Sequence, residues 1–196
     1  MTIDIEENSQ RMLTEAERRK SSLPEDAAKR VSFVQGDART VALEVQFDAV
    51  IALFHVMSYQ TTDADVEALF DAAARHLAPG GMFLFDFWYG PAVLSLRPEV
   101  RIKRRSSNGV NAERLAEPEL LLAENRVAVT YTIRVDSDPN ARPAQFSERH
   151  DMRYFFLPEL RRFAGERFEI LETCAWMSDG APEINDWSTV AIVQRR

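Results

Sequence analysis

His55 is one of only three histidines in 196 residues, and its neighbours give it chemical promise. It closes the stretch Phe47–Phe54, in which Ala49 to Phe54 is an unbroken apolar run, and it is followed by Ser58 and Tyr59. An imidazole titrates near neutral pH, so at a strand end in a cleft it can take a proton from an amine or a hydroxyl. A histidine that only caps the strand is the structural alternative. A second polar group, Asp86 with Trp88 and Tyr89, follows the apolar run Met82–Phe85. An acid beside two aromatics suits a cationic or sugar-like ligand, and equally suits a core tryptophan next to a turn aspartate. Further along, Glu148 and His150 share one face of an extended segment that also carries Arg153, since side chains two apart on a strand point the same way. His150 is therefore a second candidate base. Arg101, Lys103, Arg104 and Arg105 put four cations into five residues. They suit a phosphate or diphosphate, or they guard an edge strand by charge. None of these spacings is that of a metal site.

The elements that must position these groups follow from the pattern. Ser9 to Lys20 reads as a helix with Met12, Leu13 and Ala16 on one face. Val31–Val34 reads as a strand, and Phe47–Leu53 and Met82–Phe85 as strands buried on both faces, because their apolar runs do not alternate. Between them, Thr61 or Thr62 caps a helix with Asp63, Asp65 and Glu67 in its first turn and Val66, Leu69, Phe70 and Ala73 turned inward, ending at Ala78-Pro-Gly-Gly81. Strands alternating with helices predict a parallel α/β sheet with right-handed crossovers, and such sheets bind ligands at the carboxyl ends of their strands. From Arg101 the pattern changes. Arg101–Arg105, Glu124–Val135 and Gln145–Phe156 read as extended segments of an antiparallel flap, with a turn at Asp138-Pro-Asn140. A short helix opening at Pro158 and strands at Phe168–Trp176 and Thr189–Gln194 close the chain.

Composition narrows the classes. Hydrophobic residues at 45% and charged residues at 28% are ordinary for a globular domain. A net charge of −7 gives no basic field for nucleic acid. The single cysteine excludes an intrachain disulfide and fits a reducing cytoplasm. No apolar run approaches the ~20 residues needed to cross a bilayer, so no membrane partner is expected.

Taken in order, Val34-Gln-Gly-Asp-Ala-Arg39, Phe47-Asp-Ala-Val-Ile51, Leu77-Ala-Pro-Gly-Gly-Met-Phe-Leu-Phe-Asp86 and the closing strand pair resemble the class I S-adenosylmethionine-dependent methyltransferases. The flap followed by Met152-Arg-Tyr-Phe-Phe-Leu-Pro-Glu-Leu160 looks most like the small N-methyltransferases of nucleotide-linked amino sugars. The resemblance implies one Rossmann-like domain over residues 1–196, with a mostly parallel sheet, helices on both faces, a core at 1–95 and 157–196, and the flap at 96–156. The cofactor implied is S-adenosyl-L-methionine. Asp4 would accept its ribose hydroxyls, Asp37 and the Ala38 amide would meet its adenine, and Leu53, Phe54 and Tyr59 would pack against it. Tyr59 would otherwise orient the acceptor. His55 or His150 would be the base, and Asp86, Trp88, Tyr89 and Arg153 would line the acceptor site. The acceptor implied is a small molecule, a sugar or nucleotide-linked sugar, methylated on nitrogen or oxygen; a homodimer is admitted. The family's first strand and its Asp-x-Gly-x-Gly loop have no counterpart, and the chain is expected to begin inside the second strand. That leaves a truncated, inactive interaction module as the alternative function.

Overall fold

The structure is a computed structural model that describes residues 3–7, 10–107, 109–137 and 142–196. The chain opens with strand β1 (Ile3–Glu7), helix α1 (Gln10–Lys20), the short helix α2 (Glu25–Ala28) and strand β2 (Val31–Gln35). β1 and β2 pair in parallel as a sheet of their own. In α1 only Leu13 of the expected apolar face is buried; Met12 is exposed. Arg18 and Arg19 both reach Glu15 and put positive charge at the helix's carbonyl end, where the dipole favours it.

Strand β3 (Phe47–Ala52), helix α3 (Asp63–His76) and strand β4 (Leu77–Tyr89) form a parallel crossover unit. The Thr62 side chain accepts from the Asp65 amide at 3.1 Å, capping α3. The Pro-Gly-Gly segment is a bulge inside β4: Phe47 pairs with Leu77, but Ala49 pairs with Met82. Gly80 has φ +79°, and a Cβ on Gly81 would lie 2.9 Å from the Ala78 carbonyl oxygen, so this bulge needs glycine at both positions.

After helix α4 (Gly90–Leu96) come strands β5 (Arg101–Ser107), β6 (Val110–Leu121), β7 (Arg126–Asp136) and β8 (Ala144–Phe155), each antiparallel to the next. The sequence reading missed β6, whose Glu113, Glu117, Pro118 and Glu119 obscure its alternation; the turn expected at 138–140 lies outside the described residues. Helix α5 (Leu157–Ala164) and the antiparallel pair β9 (Phe168–Ala175) and β10 (Ser188–Arg195) complete the chain.

β4 joins everything. Its length lets it pair with β3 along Ala49–Ala52, with β10 along its other edge, and beyond the end of β3 with β8 through Trp88–Tyr154 and Tyr89–Phe155. The eight-stranded sheet is therefore Rossmann-like but mixed rather than mostly parallel, because the flap and the closing pair add antiparallel ladders. On one face Phe83, Phe85 and Phe87 are fully buried under α3 and α5, with Phe70 set edge-on to Phe83, Phe85 and Phe168 at 5.6–5.8 Å. Each such ring contributes about 1.5–3 kcal/mol through burial. β3 is not buried on both faces as its apolar run suggested. Ile51 is 61% exposed, because β3 pairs only with β4 and its Ile51 side carries no helix among the described residues.

Candidate active site

Immediately after β3 the backbone turns sharply. Phe54 and His55 have φ +62° and +68°, a left-handed conformation that costs non-glycine residues roughly 1–3 kcal/mol each and clusters at functional sites. Asp86 holds the turn. Its Oδ1 accepts from the His55 amide at 2.9 Å, and its Oδ2 lies 2.7 Å from His55 Nδ1, at ion-pair distance without the alignment of a full hydrogen bond. The Asp86 side chain is 1% exposed. The chain then coils into a 3₁₀ turn at Met57–Tyr59, where the Tyr59 amide donates to the His55 carbonyl at 3.2 Å. Ser58, fully buried, accepts from the Trp88 amide at 2.9 Å and so ties this turn to the end of β4. Trp88 lies edge-on to His55, with ring centres 6.1 Å apart, and to Trp187, 5.6 Å apart.

The flap meets the same turn. The Tyr59 hydroxyl is 2.7 Å from His150 Nδ1, and His150 Nε2 is 3.3 Å from Glu148 Oε1. Tyr131 stands edge-on to His150 at 5.1 Å, with the Arg114 guanidinium over its ring at 4.7 Å. Burial, then Tyr131 and Glu148, push the Tyr59 phenol above its ordinary pKa. Phe54 is 79% exposed at the strand end, 6.4 Å from the Trp176 ring, and Leu53 is half-buried beside it.

The structure thus brings His55, Asp86, Trp88, Tyr59 and His150 together, with Leu53 and Phe54 on the adjoining strand end. It reassigns three residues expected to line the acceptor site. The Asp86 carboxylate is taken up by the His55 amide and ring, with the Ser188 hydroxyl donating to it at 3.5 Å, and no other side chain pairs with it among the described residues. Tyr89 packs against the larger core, since it follows Trp88 on a strand and faces the other way. Arg153 is turned inward by the same alternation: it bonds Asp63 at 2.8 Å, meets Glu159, and lies over Phe155 and Phe163.

Asp37 follows β2, and its carboxylate accepts from the Arg39 amide at 3.0 Å and the Arg39 Nε at 2.9 Å. Hydrogen bonds from Arg39 hold this carboxyl down to about 2. Arg39 also bonds Asp65 in the first turn of α3, and Ala38 packs on the core. Asp4 is the second residue of β1, opposite Ser32, and not at the carboxyl end where a ribose-binding acid was expected; Glu6 and Glu7 occupy that end. Sequence reasoning named Ser58 among the polar groups after the strand without giving it a role, and missed Arg39 and Trp187. The Asp-x-Arg spacing was a visible sign of Arg39; nothing local marked Trp187.

An exposed aromatic and a strained, buttressed turn at the carboxyl end of a parallel strand fit a cofactor with an apolar face. Leu53 and Phe54 would hold it. Residues 2–81 match the methyltransferase domain family model. A dTDP-3-amino-3,4,6-trideoxy-α-D-glucopyranose N,N-dimethyltransferase from Streptomyces venezuelae is 28% identical over 177 residues, 85% of this chain and 66% of the relative. The chain therefore spans just under two thirds of that relative's length. An S-adenosylmethionine-dependent methyltransferase from Clostridium acetobutylicum superposes with a TM-score of 0.81 at 18% identity, over 100% of this chain and 75% of that one. CalS10, an amino pentose methyltransferase from Micromonospora echinaspora, gives 0.73 at 22% identity, over 100% and 74%. Residues 2–81 thus match a methyltransferase domain, and the chain has the fold of the S-adenosylmethionine-dependent methyltransferases on which it superposes. Two of the proteins it resembles are named for amino sugars.

Proposed function

We propose that this protein transfers a methyl group from S-adenosylmethionine to a nitrogen of a small molecule, an amino sugar or nucleotide-linked amino sugar, with residues 96–156 acting as a flap over the acceptor. The observation that carries this is the Phe54-His55 turn, held in a left-handed conformation by buried Asp86 beside the flap. The activities for which two similar proteins are named support the acceptor class. S-adenosylmethionine supplies a methyl group already activated by the positive charge on sulfur, so the protein's main task is alignment, worth roughly 7–11 kcal/mol of barrier in well-oriented reactions. Leu53 and Phe54 hold the donor side, with Asp37 and Ala38 in the turn after β2. Trp88 walls the acceptor side.

His55 handles the proton. With its Nδ1 beside the Asp86 carboxylate, its Nε2 is left to accept a proton from the acceptor nitrogen, which must expose a lone pair to attack. The test is transfer of labelled methyl to dTDP-3-amino-3,4,6-trideoxy-α-D-glucopyranose. His55→Ala is expected to lower kcat by about 10²–10⁴-fold, the usual contribution of a general base. Undiminished turnover in His55→Ala would remove His55 from the chemistry.

A further inference from the structure

We propose that Tyr59 is a second acceptor-facing residue of this methyl transfer, and that His150 and Glu148 are positioning residues that turn its hydroxyl oxygen toward an amine. This rests on the functional reading above and deepens it.

The polarity of the group follows from its parts. A carboxylate only accepts hydrogen bonds. Glu148 Oε1, 3.3 Å from His150 Nε2 at ion-pair distance, electrostatically favours the proton of the neutral imidazole on Nε2. That leaves Nδ1 as an acceptor, 2.7 Å from the Tyr59 hydroxyl. Tyr59 stays protonated, because burial and its neighbours oppose its ionisation, so its O–H donates to Nδ1. The only function left on its oxygen is to accept. Tyr59 is 47% exposed, and no other hydrogen bond of its hydroxyl competes among the described residues. Around His150, Glu148 comes from β8, Tyr131 from β7, Tyr59 from the 3₁₀ turn, and Arg114 of β6 lies over Tyr131. Arg114 has no ion pair among the described residues and is stacked on Tyr131, while Glu148 is the charged group in direct contact with the imidazole.

At His55 the Asp86 carboxylate, 2.7 Å from Nδ1 though not aligned as a hydrogen bond, favours the proton on Nδ1 in the same way and leaves Nε2 accepting. His55 and Tyr59 belong to one turn, joined by the 3.2 Å bond between the Tyr59 amide and the His55 carbonyl. That turn therefore presents two acceptors. A nucleophile that satisfies both at once needs two hydrogens. An amine nitrogen has them and a hydroxyl oxygen has one, so the pair selects nitrogen over oxygen. Holding one N–H on Tyr59 while His55 takes another proton also fixes the direction of the lone pair.

Two measurements on the full chain decide this. Nitrogen-15 NMR of the neutral histidine rings is expected to show His150 as the Nε2–H tautomer, and Glu148→Gln is expected to shift it toward Nδ1–H. With dTDP-3-amino-3,4,6-trideoxy-α-D-glucopyranose as acceptor, Tyr59→Phe should lower kcat/KM by about ten- to a hundredfold, the effect of losing one hydrogen bond to a charged group. Binding of S-adenosylmethionine by Tyr59→Phe should be unchanged. His150 found as the Nδ1–H tautomer, or Tyr59→Phe with wild-type kcat/KM, would overturn the proposal. A wild-type chain that transfers no methyl overturns the functional reading instead, and the His150 tautomer then decides whether the Tyr59 hydroxyl is set as described.

Discussion

Replacing Arg153 with methionine separates a structural arginine from a substrate-binding one. Its side chain is 7% exposed and bonds Asp63, itself 53% exposed, and Glu159, 16% exposed. Removing one partner of a buried ion pair typically costs about 3–5 kcal/mol, because the other charge is left stranded. Here the cost is reduced on one side, since Asp63 is open to water and keeps Arg162 at 2.9 Å. It is retained on the other, where Glu159 loses its partner under the chain. Methionine preserves apolar contact over Phe155 and Phe163, which the guanidinium now covers at 5.1 and 5.4 Å. The expected net loss is about 2–3 kcal/mol. For a chain of this length that lowers Tm by roughly 4–12 °C, at ~2–4 °C per kcal/mol. Thermal unfolding reads the loss directly, and acceptor KM should stay at the wild-type value. Unchanged Tm with a raised KM would refute the placement of Arg153 and return it to the acceptor site.

Two further outcomes follow from single contacts. Carbon-13 NMR titration of the Asp37 carboxyl should give a midpoint of about 2, below the ordinary 3.8, and Arg39→Met should bring it back toward 3.8. Because the folded value is the lower one, the stabilisation from this pair is present above pH 3.8 and fades as pH falls toward 2. A wild-type midpoint near 3.8 would contradict the pairing. Ser58→Ala leaves the Trp88 amide without its partner in a buried setting. It should cost about 1–3 kcal/mol, seen as a lower urea midpoint at unchanged slope; an unchanged midpoint would mean the bond does not hold the turn.

The helices and strands with one strong physical signal were legible in the sequence. α3 announced itself through its threonine cap, acidic first turn and inward Val66, Leu69 and Phe70. The closing pair β9 and β10 was visible through β-branched and aromatic content. What failed were inferences that depend on partners far along the chain. The apolar run of β3 fixes its strand character but not what covers it, so Ile51 was expected inside and lies 61% exposed. Asp86, Tyr89 and Arg153 were grouped with the site by nearness in sequence to Trp88 and His150. Strand alternation and burial sent Tyr89 and Arg153 to the other face and gave Asp86 to His55. His55 and Tyr59 were legible together because they lie four positions apart within one turn. The link from Tyr59 to His150 spans 91 positions, and only the pairing of β8 with the end of β4 brings it about.

The central claim is that the strand end at Leu53–His55 belongs to a site for S-adenosylmethionine. Calorimetric titration of the chain with that cofactor tests it most directly. The account predicts micromolar binding that weakens at least tenfold in Phe54→Ala, whose side chain is 79% exposed and whose loss the fold tolerates. No heat of binding to a folded chain, or equal affinity in Phe54→Ala, would contradict it.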